Sequence, residues 1–149
     1  MIDKEAVYVH FVNMLNAKIA SQQNVLDDLK ASAANETKST AGDKHETALA
    51  MLQIEQANKR AQLHELLAQK AILHKINSQV TTVQVVPGSL IKTNQGFYFM
   101  SVALGRAHIN GVQVIALSAQ SPLGAVLLGC KKGDTVSFHH TSLWIEEIF

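Results

Sequence analysis

Two carboxylates, Asp43 and Glu46, stand three residues apart in Ala41-Gly42-Asp43-Lys44-His45-Glu46-Thr47-Ala48. On a helix that spacing brings both onto one face. Mg²⁺ takes oxygen ligands of this kind, binding through one or two carboxylates with phosphates and waters completing its shell. A pair alone is an incomplete site, so any metal chemistry would need a partner to supply the rest. The same pair also reads as an N-terminal capping device that answers the helix dipole. Spacing alone leaves both readings open.

No other residue set offers chemistry as directly. Of the seven histidines, His10, His45, His64, His74 and His108 show no ligand spacing, and His139-His140, read as strand residues, point to opposite faces. Cys130 lacks a nucleophile setting and reads as a small packing residue. No Gly-rich phosphate loop, Ser-His-Asp set or dinucleotide fingerprint occurs.

The elements around the acidic pair follow from periodicity. Val7, Phe11, Met14, Leu15, Ile19, Gln22, Val25, Leu26 and Leu29 recur at steps of three and four, which makes one helical stripe. Residues 31–41 are small and polar and read as a turn with frayed helix ends. Gly42 interrupts the pattern, and Asp43 is placed to cap a second helix. The stripe resumes with Leu49, Leu52, Gln56, Lys59, Leu63, Leu66, Lys70 and Leu73. Two such helices of similar length pair antiparallel to bury their stripes.

Composition shifts near residue 78. Both prolines, seven of the eight glycines and most β-branched and aromatic residues lie beyond it. Strands are predicted at 81–86, 89–92, 97–104, 112–118, 135–139 and 143–148. Turn residues separate them, as at Pro87-Gly88, Asn110-Gly111 and Lys132-Gly133-Asp134. A short helix opens at Ser121-Pro122 and ends at Gly129. The expected fold is α+β: a helical hairpin over 1–77 and an antiparallel sheet domain with one short helix over 78–149.

Charge and composition bound the function. The chain has 149 residues, 13 Lys plus Arg against 12 Asp plus Glu, and a net charge of +1. That balance argues against a general nucleic-acid coat. A single cysteine excludes an intrachain disulfide and suits a reducing compartment. The first residues lack the order of a signal peptide, and no run of about 18 apolar residues exists to span a bilayer. The expected setting is the cytoplasm, without membrane attachment.

The motifs together resemble a family. A helical hairpin bearing Gly-Asp-x-x-Glu-x-Ala, followed by Gly88-Ser89 and by the block from Ser121-Pro122-Leu123-Gly124 to Gly133-Asp134-Thr135-Val136, is similar to the bacterial Gre transcript-cleavage factors. The resemblance runs in order over nearly the whole chain. It implies a coiled-coil hairpin with an acidic tip near 43–46 and an FKBP-like sheet domain that docks on RNA polymerase at its secondary channel. It implies that Asp43 and Glu46 act in trans, helping hold a second Mg²⁺ and a water while the polymerase cuts the 3′ end of backtracked RNA. Ser121, Pro122 and Leu123 would be the docking element. The protein would then be no enzyme itself, would own no cofactor, and would work as a monomer. A two-metal site stabilises both the attacking and the leaving oxygen of such a displacement.

This sequence departs from the family pattern at Thr47, Leu49 and Ala50, where the family carries Asn, an acidic residue and Tyr, and it has Gln120 before Ser-Pro. Thr47, Leu49 and Ala50 motivate a second reading, a regulator that occupies the polymerase channel without stimulating cleavage. A third reading is a coiled-coil interaction module that pairs through the helices.

Overall fold

A computed structural model describes the backbone of residues 2–37 and 42–149 and the side chains of 2–35 and 46–149. Two long helices come first, α1 (Lys4–Thr37) and α2 (Gly42–His74). Then come β1 (Leu90–Thr93), β2 (Gly96–Ser101), β3 (Gly105–Ile109), β4 (Val112–Ser118), α3 (Pro122–Leu127), β5 (Thr135–Phe138) and β6 (Thr141–Ile148). The α+β class expected from sequence is what forms. Packing divides the chain into two compact units, Met1–Met14 with Ala71–Phe149, and Leu15–Lys70. The composition change near residue 78 is therefore not the packing boundary.

The Leu15–Lys70 unit is a helix pair. Gln22 donates to Gln62, and Gln56 donates to the Leu29 carbonyl at 3.4 Å, so rising numbers on α1 meet falling numbers on α2. The helices are antiparallel. The stripe predicted on α2 is the covered one: Leu49, Leu52, Gln56, Lys59, Leu63, Leu66 and Lys70 are all half-buried. On α1, Leu15 and Leu26 are buried and Val25 is exposed. A seam holding Gln22, Gln56, Lys59 and Lys70 stays only partly dry. Its glutamines bond across, and half-burial of its lysines is what their long aliphatic stems allow while the charge stays in water. α1 runs on to Thr37, so residues 31–37 are helix rather than turn. Ala31, Ala33 and Ala34 are strong helix formers and outweigh the polar residues among them.

In the other unit six strands form one sheet in the order β3-β4-β2-β1-β6-β5. All neighbours are antiparallel except β2 and β4, which run parallel, with Tyr98 opposite Ile115. The sheet is thus mixed rather than purely antiparallel. The cause lies in the connection after β2. Only residues 102–104 link β2 to β3, yet β3 lies two strand spacings away, about 10 Å. Three extended residues reach about that far. The Asn110-Gly111 turn then folds β4 back into the gap. Asn110 (φ 51°) and Gly111 (φ 78°) take the left-handed values such a tight hairpin needs.

Two predicted strands are revised. Residues 97–104 end as a strand at Ser101, and β3 is an additional strand. Residues 81–86 form no strand, only a bridge between Gln84 and Lys131. Their backbone is satisfied elsewhere: Val85 donates to the Cys130 carbonyl and accepts from Gly129, both at 2.8 Å.

Alternation along the strands divides the sheet's core into two faces. One holds Ile91, Tyr98, Met100, Leu117 and Ile145, with Leu127 of α3 and Val85 packed on it. The opposite face carries Leu90, Phe99, Val114 and Ala116. Phe11 of α1 stacks on Phe99 with ring centroids 6.0 Å apart. Lys4 donates to the Val80 carbonyl at 2.6 Å and to that of Phe149 at 3.1 Å, and Glu5 accepts from Ser78 and Gln79. These contacts explain why residues 1–14 belong to the sheet unit.

Candidate functional site

Asp43 and Glu46 both lie on α2, one turn apart. Gly42 and Asp43 are helical within the described part of α2, and the residues just before them lie outside the described residues, so the interruption and the cap read from sequence fall outside what the structure describes. The Asp43 side chain lies outside the described residues. Glu46 is exposed, and its carboxylate has no hydrogen bond or ion pair among the described residues. A free carboxylate on a helix is a competent oxygen ligand, and one or two of them are what Mg²⁺ takes from protein. Among the described residues, no group of three or more His, Cys, Asp or Glu could hold a metal.

Leu49 is half-buried in the helix seam. Thr47 and Ala50 are exposed.

Ser121, Pro122 and Leu123 form the start of α3 in the sheet unit, and so belong to a different unit from Glu46. Ser121 is the N-cap. Its Oγ accepts from the Gly124 N–H at 3.1 Å and donates to the Ser118 carbonyl at 2.6 Å. Its hydroxyl is therefore committed to the fold. Pro122 occupies the first helical position and is exposed. Leu123 is half-buried and packs against the Tyr98 and Met100 core. A Cβ at Gly124 would come within 1.9 Å of the Ser118 carbonyl oxygen, so only glycine allows this close return of the chain. Of the three docking candidates, Pro122 alone offers a whole side-chain face to a partner.

Beside α3 lies a cleft of about 350 Å³, lined by Tyr98, Arg106, Gln113, Leu123, His139 and Leu143 among others. Sequence reading missed it, because Arg106 stands on the unpredicted β3. The Asn110-Gly111 signal could have found that strand, since a hairpin turn implies a strand on each side and Ala107 and Ile109 alternate with Arg106 and His108. Burial pushes the Tyr98 phenol above its usual range, partly opposed by the Arg106 guanidinium. His139 and His140 are not strand residues. They form the β5–β6 turn with φ of 48° and 62°, and the His139 ring sits edge-on to Phe138 at 4.1 Å. Of His139 and His140, only His139 lines the cleft.

Cys130 donates to the Val126 carbonyl at 3.3 Å, and burial, then Asp134, raises its thiol above the usual value. That is the reverse of an activated nucleophile. Among the described residues no helix is long and apolar enough to cross a membrane.

No protein-family model matches the chain, and no curated protein matches it. Among solved structures, a structure of the transcription factor Gfh1 is similar at 16% identity over 92% of each chain, with a TM-score of 0.37. A superposition that loose carries no argument about this chain's function.

Proposed function

We propose that this protein is a Gre-type elongation factor that binds RNA polymerase in its secondary channel and stimulates cleavage of backtracked RNA. The observation that carries the reading is the exposed Glu46 carboxylate on α2, one turn from Asp43 and without a partner among the described residues, on an antiparallel helix pair with no complete metal site among its described residues. Such a pair supplies ligands and nothing else. Asp43 and Glu46 would contribute oxygens to a Mg²⁺ that the polymerase also holds, and the ion would lower the cost of charge building on the attacking and leaving oxygens. The polymerase performs the bond breaking, so the factor is not an enzyme and has no cofactor of its own. Pro122, with Ser121 and Leu123 shaping its helix start, would meet the polymerase. The factor would act as a cytoplasmic monomer contacting the polymerase and the RNA 3′ end.

The test is a stalled, backtracked polymerase complex with and without the protein. Cleavage should accelerate with wild type and fall to the factor-free rate with Asp43→Asn/Glu46→Gln. Unchanged cleavage with wild type, or full activity in the double variant, rejects the proposal. The half-buried Leu49, three residues beyond Glu46, favours a second reading, a channel-occupying regulator without cleavage stimulation. Polymerase binding combined with inhibition would select it.

A further inference from the structure

The cleft beside α3 shares Leu123 with the docking element proposed above, but the rest of its lining takes no part in that reading and has a chemistry of its own. Its floor and walls are apolar: Ile115, Leu123, Phe138 and Leu143 line it. Its polar groups are donors or neutral amides, and no Asp or Glu lines it. Arg106 is exposed there and has no ion pair among the described residues. Register places Arg106 opposite Ile115 and Ile115 opposite Tyr98, so the guanidinium and the phenol share one row of the sheet face.

Tyr98 supplies an independent observation. The residue is 8% exposed, yet its hydroxyl makes no hydrogen bond to any described residue. It is not sealed, because no described buried side-chain oxygen or nitrogen lacks a partner. The hydroxyl therefore opens to the cleft. A phenol this buried ordinarily finds a partner. His139 stands at the rim, held by a turn in which two histidines accept left-handed backbone that glycine or asparagine takes at lower cost.

We propose that this cleft binds a carboxylate carried on an apolar body, presented by an acidic segment of a partner protein. Arg106 and Tyr98 Oη donate to the carboxylate, and the neighbouring apolar side chain lies on Ile115, Leu123 and Leu143. Charge complementarity selects an acid, since Arg106 brings a positive charge and no residue lining the cleft answers it. The cleft is a shallow depression open to solvent, whereas a small-metabolite site encloses most of its ligand. That openness points to a chain segment. The inference does not depend on the polymerase reading.

The full-length protein is titrated with a fluorescein-labelled peptide, Gly-Glu-Phe-Glu-Leu-Gly, and with its Gln-for-Glu counterpart, while backbone amide resonances are followed. The acidic peptide should bind and shift resonances of residues 95–98, 106, 113 and 139. The neutral peptide and Arg106→Gln should each weaken binding about tenfold or more, as expected for a lost charge-assisted hydrogen bond. Tyr98→Phe keeps the ring and should weaken binding without loss of fold, as read by circular dichroism. Equal binding of the two peptides, shifts that map elsewhere, or unchanged affinity in both variants overturns the proposal. Tighter binding of free phenylacetate than of the acidic peptide also overturns it, in favour of a small carboxylate.

Discussion

At the scale of single residues, the region around α3 separates what the fold requires from what is free to act. Gly124 is required by space. Gly124→Ala should lower stability by about 3 kcal/mol, because the carbonyl it strikes is backbone and cannot turn aside, and chemical denaturation would measure it. Ser121→Ala should cost about 1 kcal/mol through the lost cap. Pro122→Ala should leave stability nearly unchanged and weaken polymerase binding in a pull-down, so the two neighbours separate folding from docking. Tyr98 adds a pH signature. Its folded-state pKa is raised, so its contribution is present below the ordinary tyrosine value near 10.0 and is lost as pH rises past it. Wild type should lose stability over that alkaline window, and Tyr98→Phe should lose less. Glu46→Gln removes an exposed carboxylate with no partner among the described residues, so stability should stay within about 0.5 kcal/mol while cleavage stimulation falls.

At the scale of elements, α1 has two tasks. Its first turns lay Phe11 on Phe99, and the rest of the helix pairs with α2. Phe11→Ala should cost about 3–5 kcal/mol, as expected for a fully buried aromatic. The helix seam is drier at Leu15 and Leu26 than at any described side chain of α2 before Leu73. Amides of residues 49–66 should therefore exchange faster than those of β1 and β2, where Leu90, Ile91, Phe99 and Met100 are fully buried. Equal protection in the two regions would contradict this. The β5–β6 turn offers a gain of stability: His140→Gly at φ 62° should raise it by about 0.5–1 kcal/mol by removing Cβ crowding.

At the scale of the whole molecule, the two packing units divide the functional candidates between them. Glu46 belongs to the helix pair, whereas Ser121, Pro122, Leu123 and the Arg106–Tyr98 cleft belong to the sheet unit. Loss of Pro122 should lower occupancy on the polymerase, while loss of Glu46 should lower the cleavage rate at full occupancy. Separate binding and single-turnover measurements would expose a mixed effect. The helix seam was legible in sequence because its signal is local: every covered position from Leu49 to Leu73 follows from steps of three and four. The same holds for the Ser121-Pro122 helix start, where cap and first residue are neighbours.

By itself the sequence determined the two long helices, their buried faces, most strands and the short helix, since each rests on periodicity or on turn chemistry within a few residues. It also placed the acidic pair on one helix. Only the tertiary structure decided which strands are neighbours, that β4 enters beside β2 in parallel, that the first turns of α1 pack on the sheet, and that Arg106 and Tyr98 line one cleft. Those pairings depend on which apolar faces can cover one another across long stretches of chain, and no local pattern encodes that choice.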